Sequence, residues 1–237
     1  MSKDDPARLA VLIDADNTSS KIAEDLFLEI AKIGEASVRR IYGDFSDDQL
    51  KGWARVLSRH AIIPHQQFAY TVGKNSSDIA LVIDAMDLLH SRRFDGFVLV
   101  SSDSDFTRLA SRIREEGVDV YGVGRRTTPE AFRQACKRFI FTENLSGAEP
   151  ASAAGGGGGP TTENPAAAAP IIRQAMEAVA DEDGWAPLGA LGSRIGNMAP
   201  DFDTRSYGSG KLSDLIRRTG KFEMKRSNGN QMMVREK

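Results

Sequence analysis

The chain has 237 residues, of which 41% are hydrophobic and 27% charged, and carries a formal net charge of −2. That leaves room for one large or two modest cores and excludes a uniformly basic nucleic-acid binder, though not a locally basic domain. The opening residues Met1–Pro6 hold no apolar signal core and no run approaches membrane-spanning length, so the default compartment is cytoplasmic.

From 8 to 145 the sequence alternates apolar strands with amphipathic helices. Strands are predicted near 9–13, 37–42, 61–65, 96–100, 118–123 and 138–141, and helices near 18–33, 47–59, 77–90, 104–116 and 129–136. Asn17 or Thr18 can cap the first helix and Ser104 the one after the fourth strand. Cys136, the one cysteine, falls in the last helical stretch and reads as a buried structural thiol. It excludes an intramolecular disulfide and a cysteine-based zinc finger. Such alternation argues for a parallel, right-handed α/β sheet covered on both faces. A strand order of 3-2-1-4-5 places the first and fourth strands side by side at a topological switch point.

Those two strands end in carboxylates. Ala10-Val11-Leu12-Ile13 runs into Asp14-Ala15-Asp16-Asn17, and Phe97-Val98-Leu99-Val100 runs into Ser101-Ser102-Asp103-Ser104-Asp105. Between them, Asp78 opens the apolar helix Ile79–Leu89. Ligands of parallel α/β sheets sit at the carboxyl ends of the strands, so the three stretches can share one crevice. Each aspartate alone could merely cap or solvate a helix start. Crowded together they repel by roughly 3 kcal/mol per pair at about 5 Å and an effective dielectric near 20. A divalent cation is the usual remedy.

Other charged positions follow from the same topology. Lys74, on the connection entering the Asp78 helix, can touch a phosphate at the crevice. Arg125 and Arg126 follow the fifth strand at the carboxyl edge and are better placed to grip a phosphate backbone. Arg92 and Arg93 lie at the opposite edge and read as surface charge. Asp44, one strand from the cluster, could support it indirectly. His60, His65 and His90 have no metal-ligand spacing and read as structural.

Composition breaks at 147–169, where Gly155–Gly159, Ala166–Ala169 and three prolines leave nothing to bury, so this stretch reads as a flexible linker spanning roughly 25–30 Å. It separates a first domain, 1–146, from a second, 170–237. In the second, helices are predicted at Ile171–Ala180, Leu188–Ile195 and Gly210–Arg218. Strands Phe222–Lys225 and Met232–Arg235 follow, joined by Ser227-Asn228-Gly229-Asn230, a good hairpin signal. Three helices and a hairpin suggest a small α+β winged helix. From Thr204 to Lys237 nine Lys and Arg stand against three acids, a local charge of +6. Tyr207, Lys211, Arg217 and Arg218 are its candidate nucleic-acid contacts, although Tyr207 could equally be core, as Trp185 and Phe202 are expected to be.

The stretches VLIDADNT (Val11–Thr18), GKNSSDIALVIDAMD (Gly73–Asp87) and VLVSSDSDF (Val98–Phe106) resemble the three motifs of NYN domains, which are PIN-like, metal-dependent ribonucleases. FDTRSYGSGKLSDLIRRTGKF (Phe202–Phe222) resembles the OST-HTH or LOTUS winged-helix domain, linked to RNA binding and partner recruitment. The resemblance implies a Rossmann-like PIN/NYN fold over about 8–145. It also implies that Asp14, Asp78, Asp103 and Asp105 are catalytic and hold Mg²⁺ or Mn²⁺. Asp16 is a secondary candidate, and Asn17 would orient the cluster or the substrate. In-line attack by an acidified water would leave a 3′-hydroxyl and a 5′-phosphate. RNA, single-stranded by preference, is the implied partner. A protein partner through the second domain and a homodimer are further expectations, and no membrane is expected.

Two rival readings use the same residues. Asp14-x-Asp16-x-Thr18 after a strand fits the first motif of haloacid-dehalogenase-type phosphatases, with Ser101 passing for the second. The order is wrong, however: the acidic Gly43-Asp44 and Asp47-Asp48 group precedes Ser101, the lysine and acidic pair should follow it, and no later Asp-Asp pair appears. An idle RNA-binding adaptor is the other rival, but an idle site has no reason to keep mutually repelling charges.

Overall fold

The computed structural model describes residues 5–46, 48–68, 76–145, 162–227 and 229–237, and the chain divides into two compact units, Met1–Ser152 and Ala153–Lys237.

In the first unit, β1 (Arg8–Asp14), α1 (Ala23–Ile30), β2 (Glu35–Gly43), α2 (Lys51–Ala54), β3 (Ile63–Gln66), α3 (Ser76–His90), β4 (Gly96–Val100), α4 (Thr107–Glu115), β5 (Asp119–Gly124), α5 (Glu130–Ala135) and β6 (Arg138–Phe141) alternate. Among the described residues the strands form one six-stranded sheet in the order β3-β2-β1-β4-β5-β6, with every neighbouring pair parallel. The expected α/β class and the adjacency of β1 and β4 therefore hold. Because strand side chains alternate faces, the apolar run of β1 serves two cores at once. Ala10 and Leu12 join Phe97 and Leu99 under α3, α4 and α5. Leu9, Val11 and Ile13 join Val98 and Val100 under α1 and α2. Cys136 is buried and donates its Sγ proton to the Phe132 carbonyl, and burial pushes its thiol up to about 12. This is a structural cysteine.

Three local expectations are corrected. The helix expected over 47–59 is only a 3-10 turn, Asp48–Leu50, and the four residues of α2, continued as hydrogen-bonded turns to His60. Gly52 lowers helix propensity there; its absent Cβ would lie 2.5 Å from Ser20 Oγ, so the close approach to Ser20 sets the local shape. Neither Asn17 nor Thr18 caps the first helical stretch. Ser19 does, accepting from the Lys21 N–H, while Asn17 turns to Asp14. After β4 the cap is Asp103 rather than Ser104, accepting from the Asp105 N–H.

The second unit holds α6 (Ala169–Met176), β7 (Ala186–Pro187), α7 (Leu188–Met198), α8 (Leu212–Thr219), β8 (Phe222–Arg226) and β9 (Met232–Glu236). Among the described residues β7, β9 and β8 form an antiparallel sheet against a core of Ile172, Leu191, Ile195, Leu215, Ile216, Phe222 and Val234. Gly220 ends α8 at φ 70°, a conformation that glycine adopts without steric cost. Of the expected linker only 162–169 lies among the described residues. There the chain is already part of the unit: Asn164 caps a 3-10 turn over Pro165–Ala168, and Ala168 and Ala169 enter the core. Alanine is small and favours helices, so a run read as linker composition could pack. Asn228, part of the expected hairpin turn, lies outside the described residues.

Candidate active site

Asp14 ends β1 and is 1% exposed. Its Oδ1 accepts the backbone N–H groups of Asp16 (3.1 Å) and Asn17 (3.3 Å). Its Oδ2 accepts Asn17 Nδ2 (2.8 Å) and Ser101 Oγ (2.7 Å). Four donors match the roughly four acceptor sites of an ionised carboxylate. Burial still pushes its carboxyl above the usual range, against the opposing pull of Ser101 and Asn17 and with some help from Asp16.

Ser101 ties two motifs together. While donating to Asp14, its Oγ accepts the Asp103 backbone N–H at 3.0 Å; its own N–H goes to the Val123 carbonyl. The sequence offered Ser101 only as a phosphatase residue. Its place directly after β4 was the available signal for this bridging role.

Asp78, in the first turn of α3, completes the crevice. Burial first, then repulsion from Asp14, Asp103, Asp16 and Asp105, pushes its carboxyl from 3.8 up to about 6. Asp78 thus feels the other four sequence-nominated carboxylates through space. Ser77 Oγ donates to Asp16 Oδ2 at 3.0 Å, linking the start of α3 to the β1 turn. Further along, Asp84 bonds Arg40 and Tyr42 of β2 and fastens α3 to the sheet. That anchor was not read from the sequence; the alternation of Arg40 and Tyr42 onto one face of β2 was its only sign.

Among the described residues no group of three or more His, Cys, Asp or Glu is arranged to hold a metal ion. The donor chemistry nevertheless suits a hard cation, being carboxylate oxygen throughout. The repulsion that raises Asp78 is the repulsion such a charge would relieve.

The remaining nominees differ in placement. Lys74 lies outside the described residues. Arg125 is exposed, and its backbone N–H is fastened to Ser102 Oγ at 2.9 Å. Arg126 bonds Glu143 Oε1 through its N–H and Asn144 through its guanidinium, which also stacks over Phe141. Asp44 accepts from Gln66 and Ser46. His60 stacks on Phe27, His65 lies against Tyr42, and His90 bonds the Met86 carbonyl.

In the second unit Tyr207 is partly buried against the core and 5.7 Å from the Phe202 ring. Lys211 is exposed just before α8, and Arg217 pairs with Asp214. Arg218 bonds the Tyr207 carbonyl and Ser209 Oγ, holding the loop before α8. Trp185 is 8% exposed and carries Lys225 and Arg235 over its ring.

A family profile described as "NYN domain" matches residues 8–145, and one described as "OST-HTH/LOTUS domain" matches 164–234. Comparison with curated proteins gives no significant match. Among solved structures, a Vibrio parahaemolyticus protein of unknown function is similar at 20% identity and TM-score 0.49, covering 60% of this chain and 96% of that one. An uncharacterized Nitrosomonas europaea protein is 33% identical with TM-score 0.29, over 39% of this chain and 88% of that one. Among the described residues no helix is long and apolar enough to cross a membrane.

Proposed function

The chain belongs to the NYN family, and from that premise we propose that it is a metal-dependent endoribonuclease with a C-terminal domain that binds RNA or a protein partner. NYN domains are generally nucleases, and a LOTUS domain points to RNA or a protein as its ligand. The observation that carries the reading is the gathering of Asp14, Asp16, Asp103 and Asp105 about Asp78, whose carboxyl is raised to about 6 by burial first and then by their repulsion.

Asp14, Asp78, Asp103 and Asp105 would hold Mg²⁺ or Mn²⁺, with Asp16 beside them. The ion would supply Lewis-acid stabilisation of charge on the phosphate and lower the pKa of the attacking water. The chain's own residues prepare that place. Asn17 and Ser101 fix Asp14, Ser101 sets the Asp103 turn, and α3 is locked to β2 so that Asp78 faces the strand ends. Arg125 stands ready at the rim for the RNA backbone. An aspartyl nucleophile of the phosphatase kind fits poorly, because no Asp-Asp pair follows Ser101 in the chain.

Incubation of the full chain with end-labelled single-stranded RNA tests the proposal. Cleavage is expected in Mn²⁺ and none in EDTA, with 3′-hydroxyl and 5′-phosphate ends. Equal cleavage in EDTA, or 2′,3′-cyclic phosphate ends, would overturn it. Removal of 170–237 should raise KM for RNA and leave kcat within about twofold, because a second binding module on one chain supplies local concentration rather than chemistry. An unchanged KM on every substrate would count against that role.

A further inference from the structure

A cavity of about 580 Å³ opens at the carboxyl end of the sheet beside the aspartates, lined by Asp16 and Asn17 from the β1 turn and by Ser102 and Arg125 from the turns after β4 and β5. Its apolar wall is Ile22, Leu50 and Trp53. Those three belong to the core under α1 and α2, whereas α3, which carries Asp78, packs in the core on the other face. A polynucleotide crossing the aspartates therefore has α3 on one side and this cavity on the other.

Its chemistry is that of a site for a neutral, hydrogen-bonding heterocycle. Asp16 and Glu143 balance Lys21 and Arg125, so the lining carries no net charge. Gln49 contributes an amide to the lining, and Ser20 and Thr142 hydroxyls, groups that both donate and accept hydrogen bonds. The indole of Trp53 is fixed by its N–H to the Thr18 carbonyl at 2.8 Å, so the apolar wall is pre-organised. The volume lies within the roughly 300–1,000 Å³ range of small-molecule sites.

We propose that this cavity is a nucleobase subsite. It seats the base adjoining the phosphodiester at the aspartates, while Arg125 at the rim contacts that nucleotide's phosphate. The inference rests on the nuclease reading and deepens it. It makes the cavity a determinant of where the RNA is cut and of the need for an unpaired base, since single-stranded RNA is read through splayed-out bases.

The test uses the full chain, Ca²⁺ as the hard cation, and short fluorescent single-stranded RNAs with one abasic nucleotide moved along the sequence. One abasic position should weaken binding about tenfold, in line with the loss of one base contact, and should adjoin the bond cut in Mn²⁺. Gln49→Trp, which obstructs the cavity from an exposed position outside the aspartate cluster, should weaken binding of intact RNA about tenfold and leave the affinity for that abasic RNA unchanged. Insensitivity to every abasic position, or an equal loss on both RNAs, overturns the subsite even if cleavage is normal. An abasic-sensitive position that Gln49→Trp abolishes, with no cleavage in Mn²⁺, keeps the base site and rejects the nuclease.

Discussion

Asp78→Asn should raise the thermal stability of the metal-free protein while lowering RNA cleavage at least about a hundredfold. The two effects share one cause. The folded protein holds the Asp78 proton more tightly than the unfolded chain, with a pKa of about 6 against 3.8. Stability from this group is therefore present at low pH and is lost as pH rises from about 4 to about 6, after which the penalty is complete. Asparagine mimics the protonated form at every pH. Wild type and variant should thus melt together near pH 4 and separate above pH 6. Asp78 is half-buried, so solvent screening holds the difference to about 1 kcal/mol or less, a Tm rise of up to about 2–4 °C. Mn²⁺ should reverse the order by stabilising the wild type and not the variant. The loss of cleavage follows from the several kcal/mol a positioned metal contributes, at 1.36 kcal/mol per tenfold. Asp103→Asn should also cut cleavage and, by removing one of the charges pressing on Asp78, move its pKa back toward 3.8. A variant at 78 that melts at the wild-type temperature at pH 8 without metal would show that the carboxylates do not press on one another.

Much of this was legible because the signals are short-range. Continuous apolar runs ending in Asp14 and at Ser101 mark strands buried on both faces and point their ends at a common edge, which is where β1 and β4 lie. Charge, by contrast, does not reveal its partner. Nothing in the sequence shows that Arg218 bonds the Tyr207 carbonyl or that Asp84 fastens α3 to β2. The α2 region carried helical periodicity, yet the contact of Gly52 with Ser20 and the bond from Trp53 to Thr18 override it. The cavity was the least legible feature. Its walls come from residues 15–22, 49, 50, 53, 102, 124–125 and 142–143, segments brought together only by the strand order. Neither spacing nor composition records such a meeting.

Ser101→Ala should destabilise the first unit by about 1–3 kcal/mol, the cost of leaving a buried charged acceptor and a backbone donor short of partners. Both losses are specific. Asp14 Oδ2 would keep only Asn17 Nδ2, and the Asp103 N–H would lose the Ser101 Oγ that sets its turn. The pH dependence separates this from a simple packing defect, since removing one hydroxyl from a 2% exposed position leaves only a small void. The Ser101 bond favours the charged form of Asp14 and opposes the rise that burial imposes. Its absence raises the Asp14 carboxyl further, so the stability gap between wild type and variant should widen as pH rises through the titration of Asp14 and narrow in acid. Urea denaturation at pH 4 and pH 8 measures it. Ser101→Thr keeps the hydroxyl and should restore most of the gap, and kcat for RNA should follow the same order because the Asp103 turn moves with the bond. A deficit of equal size at both pH values would mean that Ser101 only fills space, and Asp14 would then owe its position to Asn17 and the β1 turn alone.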